Sequence, residues 1–137
     1  MKLSLKVEYA CQVLAQLGYT YKRAELPHIE ELAKLEAVPS NYLVQILNDL
    51  RTAGLINSKR GKQGGYALAR APEEISLYDI MKAVEGEVLA HSPAGKGASS
   101  GRNAAVWDEV SGKFEDLLGN YTVDQLMERS AGEMWYI

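Results

Sequence analysis

Two short stretches of this 137-residue chain hold the side chains best suited to chemistry. Ser40, Asn41, Tyr42 and Gln45 fall within two turns of an expected helix, with Arg51 near its end. Asn and Gln amides pair bidentately with adenine, Ser and Tyr hydroxyls hold phosphate or base, and Arg faces backbone phosphate. Further on, Lys59-Arg60-Gly61-Lys62 leads into Gly64 and Gly65, joining three cations to glycines that let the backbone approach a ligand closely. On such a loop Arg60 suits a narrow minor groove, where A·T tracts concentrate negative potential. The chemistry these residues offer is base hydrogen bonding and phosphate neutralisation. The competing readings are a solvated helix face with Asn41 near its cap, and a solvated turn.

No nucleophile with a base, carboxylate pair or metal site supports catalysis, so the chain is not expected to be an enzyme. Cys11, His28 and His91 are too thin a set for structural zinc, and one cysteine forms no internal disulfide. No metal or cofactor is expected. Cys11 lies on an apolar helix face and reads as a small buried hydrophobe rather than a redox switch; His91 reads as solvated.

The elements that must position these residues follow from periodicity. Val7, Ala10, Cys11, Leu14 and Leu17 mark a first helix capped by Ser4 and running to about Gly18. After a polar connection over 19–26, a second helix follows Pro27, with Ile29, Leu32, Ala33 and Leu35 inward. Pro39 cannot sit inside a helix, so a third starts at Pro39 or Ser40, buries Leu43, Ile46, Leu47 and Leu50, and stops at Gly54. Two short helices with a tight connection form a helix-turn-helix candidate. Leu55 to Ser58 and Tyr66 to Leu68 are strand-length runs around the glycine-rich basic segment, a hairpin placed as a wing. Ser76-x-x-Asp79 opens a fourth helix that ends near Gly86.

Residues 87–105 are rich in Ala, Gly and Ser and are expected to be a flexible loop. Trp107, Val110, Phe114, Leu117, Leu118 and Tyr121 then mark a long helix whose apolar face exceeds what so small a domain covers, so a second subunit is expected on it. Thr122-x-x-Gln125 starts a last short helix. The fold class is mainly α: a winged helix-turn-helix with a two-stranded β wing over 1–86, the loop over 87–105, and a dimerisation helix, short helix and tail over 106–137.

Charge is distributed to match. The net charge is −3, but residues 39–70 carry five basic residues against Asp49 alone, while 1–38 are balanced and 71–137 carry twelve acidic residues against five basic. A local basic surface meets phosphate while the remainder keeps the protein soluble. Mean hydropathy of −0.21, no apolar run near membrane-span length and no apolar signal core at the N-terminus point to a cytoplasmic globular protein.

Several motifs recur together in order: Met1-Lys2-Leu3-Ser4; Asn41-Tyr42-Leu43 with Gln45 and Leu47; Leu50-Arg51 with Ala53-Gly54-Leu55; Arg60-Gly61 before Gly64-Gly65-Tyr66 with Leu68-Ala69; and Asp79-Ile80 through Val84-Glu85-Gly86. Together they resemble the Rrf2 family of bacterial winged-helix repressors. The resemblance implies a DNA-binding homodimer, a wing-arginine role for Arg60, backbone contacts near Ser4, and phosphate contacts from Lys6 and Tyr9. Many members hold an iron-sulfur cluster through three cysteines in the loop after the fourth helix. Residues 87–105 contain none, so no cluster is expected. Three departures stand out: Pro39 precedes Ser40 where the family often has Ser then Pro, Ala37 replaces a frequent glycine, and Val44 takes a position that is often Glu. A valine meets a thymine methyl where a carboxylate would accept from cytosine, so base preference is expected to differ.

A chain without cluster ligands that closes on Met134-Trp135-Tyr136-Ile137 resembles the family's cluster-free repressors of cysteine metabolism. That implies a complex with cysteine synthase, whose active site accepts a C-terminal isoleucine such as Ile137, with Trp135 and Tyr136 beside it, by carboxylate capture. O-acetylserine would compete for that pocket and weaken repression. The alternative packs Trp135 and Tyr136 against the partner subunit. Two other functions stay open: a protein–protein module without DNA, and a regulator sensing a small molecule between the fourth and fifth helices or responding to redox state.

Overall fold

In a computed structural model, residues 2–89 and 95–128 are described. His91 and the tail residues Trp135, Tyr136 and Ile137 lie outside them. Helix α1 spans Leu5–Tyr19, α2 Ile29–Glu36 and α3 Ser40–Thr52; strands β1, Ile56–Lys59, and β2, Gly65–Leu68, pair antiparallel with Ile56 opposite Leu68; a 3-10 turn follows at Pro72–Glu74; α4 is Leu77–Glu85, α5 Ser100–Gly119 and α6 Val123–Leu126. This is the expected winged helix-turn-helix with a two-stranded wing and a long C-terminal helix.

Local signals explain where the elements begin. Ser4 Oγ accepts from the Val7 amide and closes the start of α1, and its hydroxyl also donates to the Glu85 carboxylate at the end of α4. Ser76 and Asp79 form a reciprocal capping box on α4, and Thr122 with Gln125 forms another on α6. Between α2 and α3 the chain turns at Ala37, which takes a left-handed conformation (φ 53), and Pro39 caps α3. An alanine thus does the work of a turn glycine, at some backbone cost.

One core holds these elements together. Leu43, Ile46, Leu47 and Leu50 of α3 meet Val13, Leu14 and Leu17 of α1, with Leu32, Val38, Leu55, Ile56, Ile75 and Ile80 closing around them. Leu35 corrects the sequence expectation: it is 60% exposed. The inward arc of α2 runs through Ile29, Leu32, Ala33 and Glu36, and Leu35 falls about 100° round the helix from its centre.

The C-terminal segment also departs from expectation. α5 starts at Ser100, so the last six residues of the expected 87–105 loop are helical. The Gly97 amide donates to Ser100 Oγ, the Ser100 amide donates to the Gly97 carbonyl, and Ala104 and Ala105 favour the helix. Val123 of α6 lies in the same core as the winged helix, and the Leu77 and Val123 amides donate to the carbonyls of Tyr121 and Ile75. The C-terminal segment is therefore stitched to the winged helix. α5 has no buried residue: Trp107, Val110 and Leu117 are exposed and Phe114 and Leu118 half-buried, while Tyr121, expected on the same helix, lies two residues past its end and is exposed. Among the described residues no helix is long and apolar enough to cross a membrane.

The wing is seated by Gly65. Its φ is +143, the Tyr66 amide donates to the Pro27 carbonyl at 3.0 Å, and a Cβ on Gly65 would lie 2.5 Å from that same oxygen. Gly65→Ala is expected to lower stability by roughly 2 kcal/mol or more in urea unfolding, because strain and overlap add; an unchanged midpoint would show that the wing is not anchored there.

Candidate nucleic-acid interface

The buried stripe of α3 decides which side chains face outward. With Leu43, Ile46, Leu47 and Leu50 turned into the core, Ser40, Asn41, Tyr42, Val44, Gln45 and Asn48 are left exposed, Val44 at 58%. Asn41, Val44, Gln45, Asn48 and Arg51 line one hollow together with Tyr66 of β2. The Arg51 guanidinium donates to Asn48 Oδ1 at 2.9 Å, which lays it along the helix.

Arg51 and Tyr66 also line a second hollow, with Ser58, Lys59, Arg60 and Gly61 of the wing and His28, Ile29 and one acidic residue, Glu30, at the start of α2. The recognition-helix face and the wing therefore meet at Arg51 and Tyr66 as one continuous surface. Such a surface presents amides and a methyl-bearing side chain to base edges, flanked by cations for phosphate.

Lys6 and Tyr9, expected at phosphate, lie at the seam between α1 and α3. Lys6 Nζ is 2.7 Å from Asp49 Oδ2, and the Tyr9 ring meets Tyr42 edge-on with centroids 5.5 Å apart. Both are half-buried and contact α3 at its rim.

The wing glycines divide into two roles. Gly61 is exposed with φ +103 at the turn and belongs to the surface. Gly64 and Gly65, expected to bring backbone close to DNA, are buried instead. A Cβ on Gly64 would stand 2.3 Å from the Lys59 carbonyl oxygen, so that glycine closes the hairpin on itself, as Gly65 closes it on Pro27. Sequence reasoning missed Asn48 and Tyr66. Asn48 sits three residues from both Gln45 and Arg51 and was legible from helical spacing; Tyr66 carried only a strand signal.

The sequence and the fold match those of known transcriptional regulators. The family model described as "Rrf2: Iron-dependent Transcriptional regulator" matches residues 3–129. The chain is 36% identical over 128 residues to the HTH-type transcriptional regulator Rv1287 of Mycobacterium tuberculosis, covering 90% of this chain and 79% of that protein. It is 43% identical over 119 residues to the HTH-type transcriptional regulator IscR of Cereibacter sphaeroides, covering 81% and 77%. Among solved structures it resembles CymR, the global cysteine regulator of B. subtilis, with a TM-score of 0.75 and 25% identity over 92% of this chain and 95% of that one.

The donor set does not fit an iron-sulfur cluster. The chain's one cysteine, Cys11, is packed half-buried on α1, and among the described residues no three His, Cys, Asp or Glu converge on a common point. Cluster ligation needs thiolates. Burial, with the Glu8 carboxylate nearby, pushes the Cys11 thiol up to about 11, so it stays protonated at neutral pH. Iodoacetamide at about pH 8 is expected to label Cys11 much more slowly than free cysteine, by roughly two orders of magnitude, with the rate climbing as pH rises. Labelling at the free-thiol rate would contradict the packing of α1.

Proposed function

This chain belongs to the Rrf2 family of transcriptional regulators, and on that premise we propose that it is a dimeric, sequence-specific DNA-binding repressor. The observation that carries the reading is the continuous exposed face joining α3 to the wing through Arg51 and Tyr66. In this reading Ser40, Asn41, Tyr42 and Gln45 meet base edges and phosphates in the major groove, Val44 meets a thymine methyl, and Arg51 and Lys59 meet backbone phosphate. Arg60 enters the adjacent minor groove. The backbone at Ser4 and the side chains of Lys6 and Tyr9 reach phosphate from the α1 edge, with Lys6 exchanging Asp49 for DNA.

A second copy covers the exposed face of α5, centred on Trp107, Val110, Phe114, Leu117, Leu118 and Tyr121. Two-fold symmetry then sets the half-sites one or more helical turns apart, about 10 to 10.5 bp each.

For regulation, the likeness to CymR and the lack of cluster ligands support a role at cysteine and sulfur metabolism genes. Control comes through cysteine synthase, with Trp135, Tyr136 and Ile137 as the contact.

In a gel shift at fixed salt, Arg60→Ala is expected to weaken binding to a selected operator by roughly 1 to 3 kcal/mol; unchanged affinity would remove Arg60 from the interface. Removing Ile137 is expected to abolish co-purification with cysteine synthase while the oligomeric state is kept, and persistent association would exclude the tail as the contact.

A further inference from the structure

A hollow of about 420 Å³ lies between the wing tip and the α1–α2 connection, lined by Gly64 and Lys62 on one side and by residues 23–28 on the other. Its volume is within the range of small-molecule sites, about 300 to 1,000 Å³. Leu26, Pro27 and the exposed Leu35 supply apolar surface, and four charged side chains stand around it: Arg23, Lys62, Glu25 and Glu31.

These four charges do not pair with one another. No ion pair within 4.0 Å joins either cation to either carboxylate. Glu31 Oε1 accepts from the His28 amide at 3.3 Å as part of the α2 capping box, which fixes this carboxylate at the start of α2. Two cations balanced by two carboxylates give no net attraction for a polyanion such as a phosphodiester chain. Opposite charges held apart over an apolar wall complement a small molecule that carries both charges and an apolar side chain. The comparable hollow between α4 and α5 is less available: Lys82 is engaged by the Tyr78 ring at 5.7 Å and Ser111 Oγ donates to the Leu89 carbonyl.

We propose that the hollow between Arg23, Glu25, Glu31 and Lys62 binds a free α-amino acid with an apolar side chain. The ligand carboxylate meets Arg23 and Lys62, its ammonium meets Glu25 and Glu31, and its side chain lies on Leu26 and Leu35. Lys62 is two residues from Arg60 on the same hairpin. A ligand that holds Lys62 ties the wing tip to the α1–α2 connection and restrains the hairpin that carries Arg60, so occupancy weakens DNA binding. That consequence rests on the DNA-binding reading; the binding itself does not.

The test is an NMR titration of the nitrogen-15-labelled full chain with L-leucine and L-methionine up to about 10 mM, the weak end of specific affinities. N-acetyl-L-leucine and L-leucinamide, which each lack one charge, are the controls. Saturable shifts confined to residues 20–35 and 61–65 are expected, at least tenfold weaker for either control and for Arg23→Ala or Glu25→Ala, a factor that corresponds to about 1.4 kcal/mol. No saturable shift, controls that bind as tightly, or variants that bind like the unaltered chain would overturn the site. In a parallel gel shift at fixed salt, leucine is expected to weaken DNA binding at least twofold; unchanged DNA affinity with the site filled would overturn the coupling to the wing. Absence of DNA binding without any ligand would count against the repressor reading, and the titration would still decide the site.

Discussion

The structure depends above all on the seating of α3 against α1. Four apolar residues at helical spacing, Leu43, Ile46, Leu47 and Leu50, are buried to within 2% exposure against Val13, Leu14 and Leu17. Burying them is worth about 1.5 to 3 kcal/mol each, which makes this seam the strongest rotational constraint on the helix. Once that stripe is pinned, Asn41, Val44, Gln45 and Asn48 have nowhere to point but outward. The Lys6–Asp49 ion pair and the Tyr9–Tyr42 edge contact add direction at the rim. Their partial exposure keeps each small in energy, so they refine an orientation that apolar packing already holds.

The wing depends on a second constraint, the close approach of two backbones. Gly65 lies where a Cβ would overlap Pro27 O, and Gly64 where one would overlap Lys59 O. Glycine is needed there for closure of the hairpin and its attachment to the α1–α2 connection, which brings Lys59, Arg60 and Gly61 beside Arg51. The same attachment sets the wing tip against residues 23–28, where the hollow of about 420 Å³ lies. Ser4 makes a comparable link, capping α1 and holding Glu85 at the end of α4.

Much of this was legible before any coordinates. Pro39, Gly54 and the capping pairs at Ser76 and Thr122 marked helix starts and stops within a residue, because each acts through a local steric or hydrogen-bond effect. The readings that failed were ones where local chemistry is ambiguous. Leu35 looked like a core residue because Leu usually is, yet its angular position is off the inward arc of a short helix. Residues 100–105 looked like loop because of their Ser, Gly and Ala content, while Ala104 and Ala105 with the Ser100 hydrogen bonds extend α5 by more than a turn. Gly64 and Gly65 were assigned to a ligand when their neighbours are the protein's own carbonyls.

What the sequence determined by itself was the order and type of the elements, the outward set on α3, the basic hairpin and the absence of cluster-forming cysteines. All of these follow from periodicity, from residues with restricted backbones and from composition, which act within a few positions of the chain. Only the tertiary structure decided that Arg51 and Tyr66 join the two halves of the surface, that Lys6 is held by Asp49, that α6 shares the winged-helix core, and that Arg23 and Glu25 stand around one hollow with Lys62. Those relations link residues tens of positions apart. They arise from how helices and hairpin pack, which no local pattern encodes.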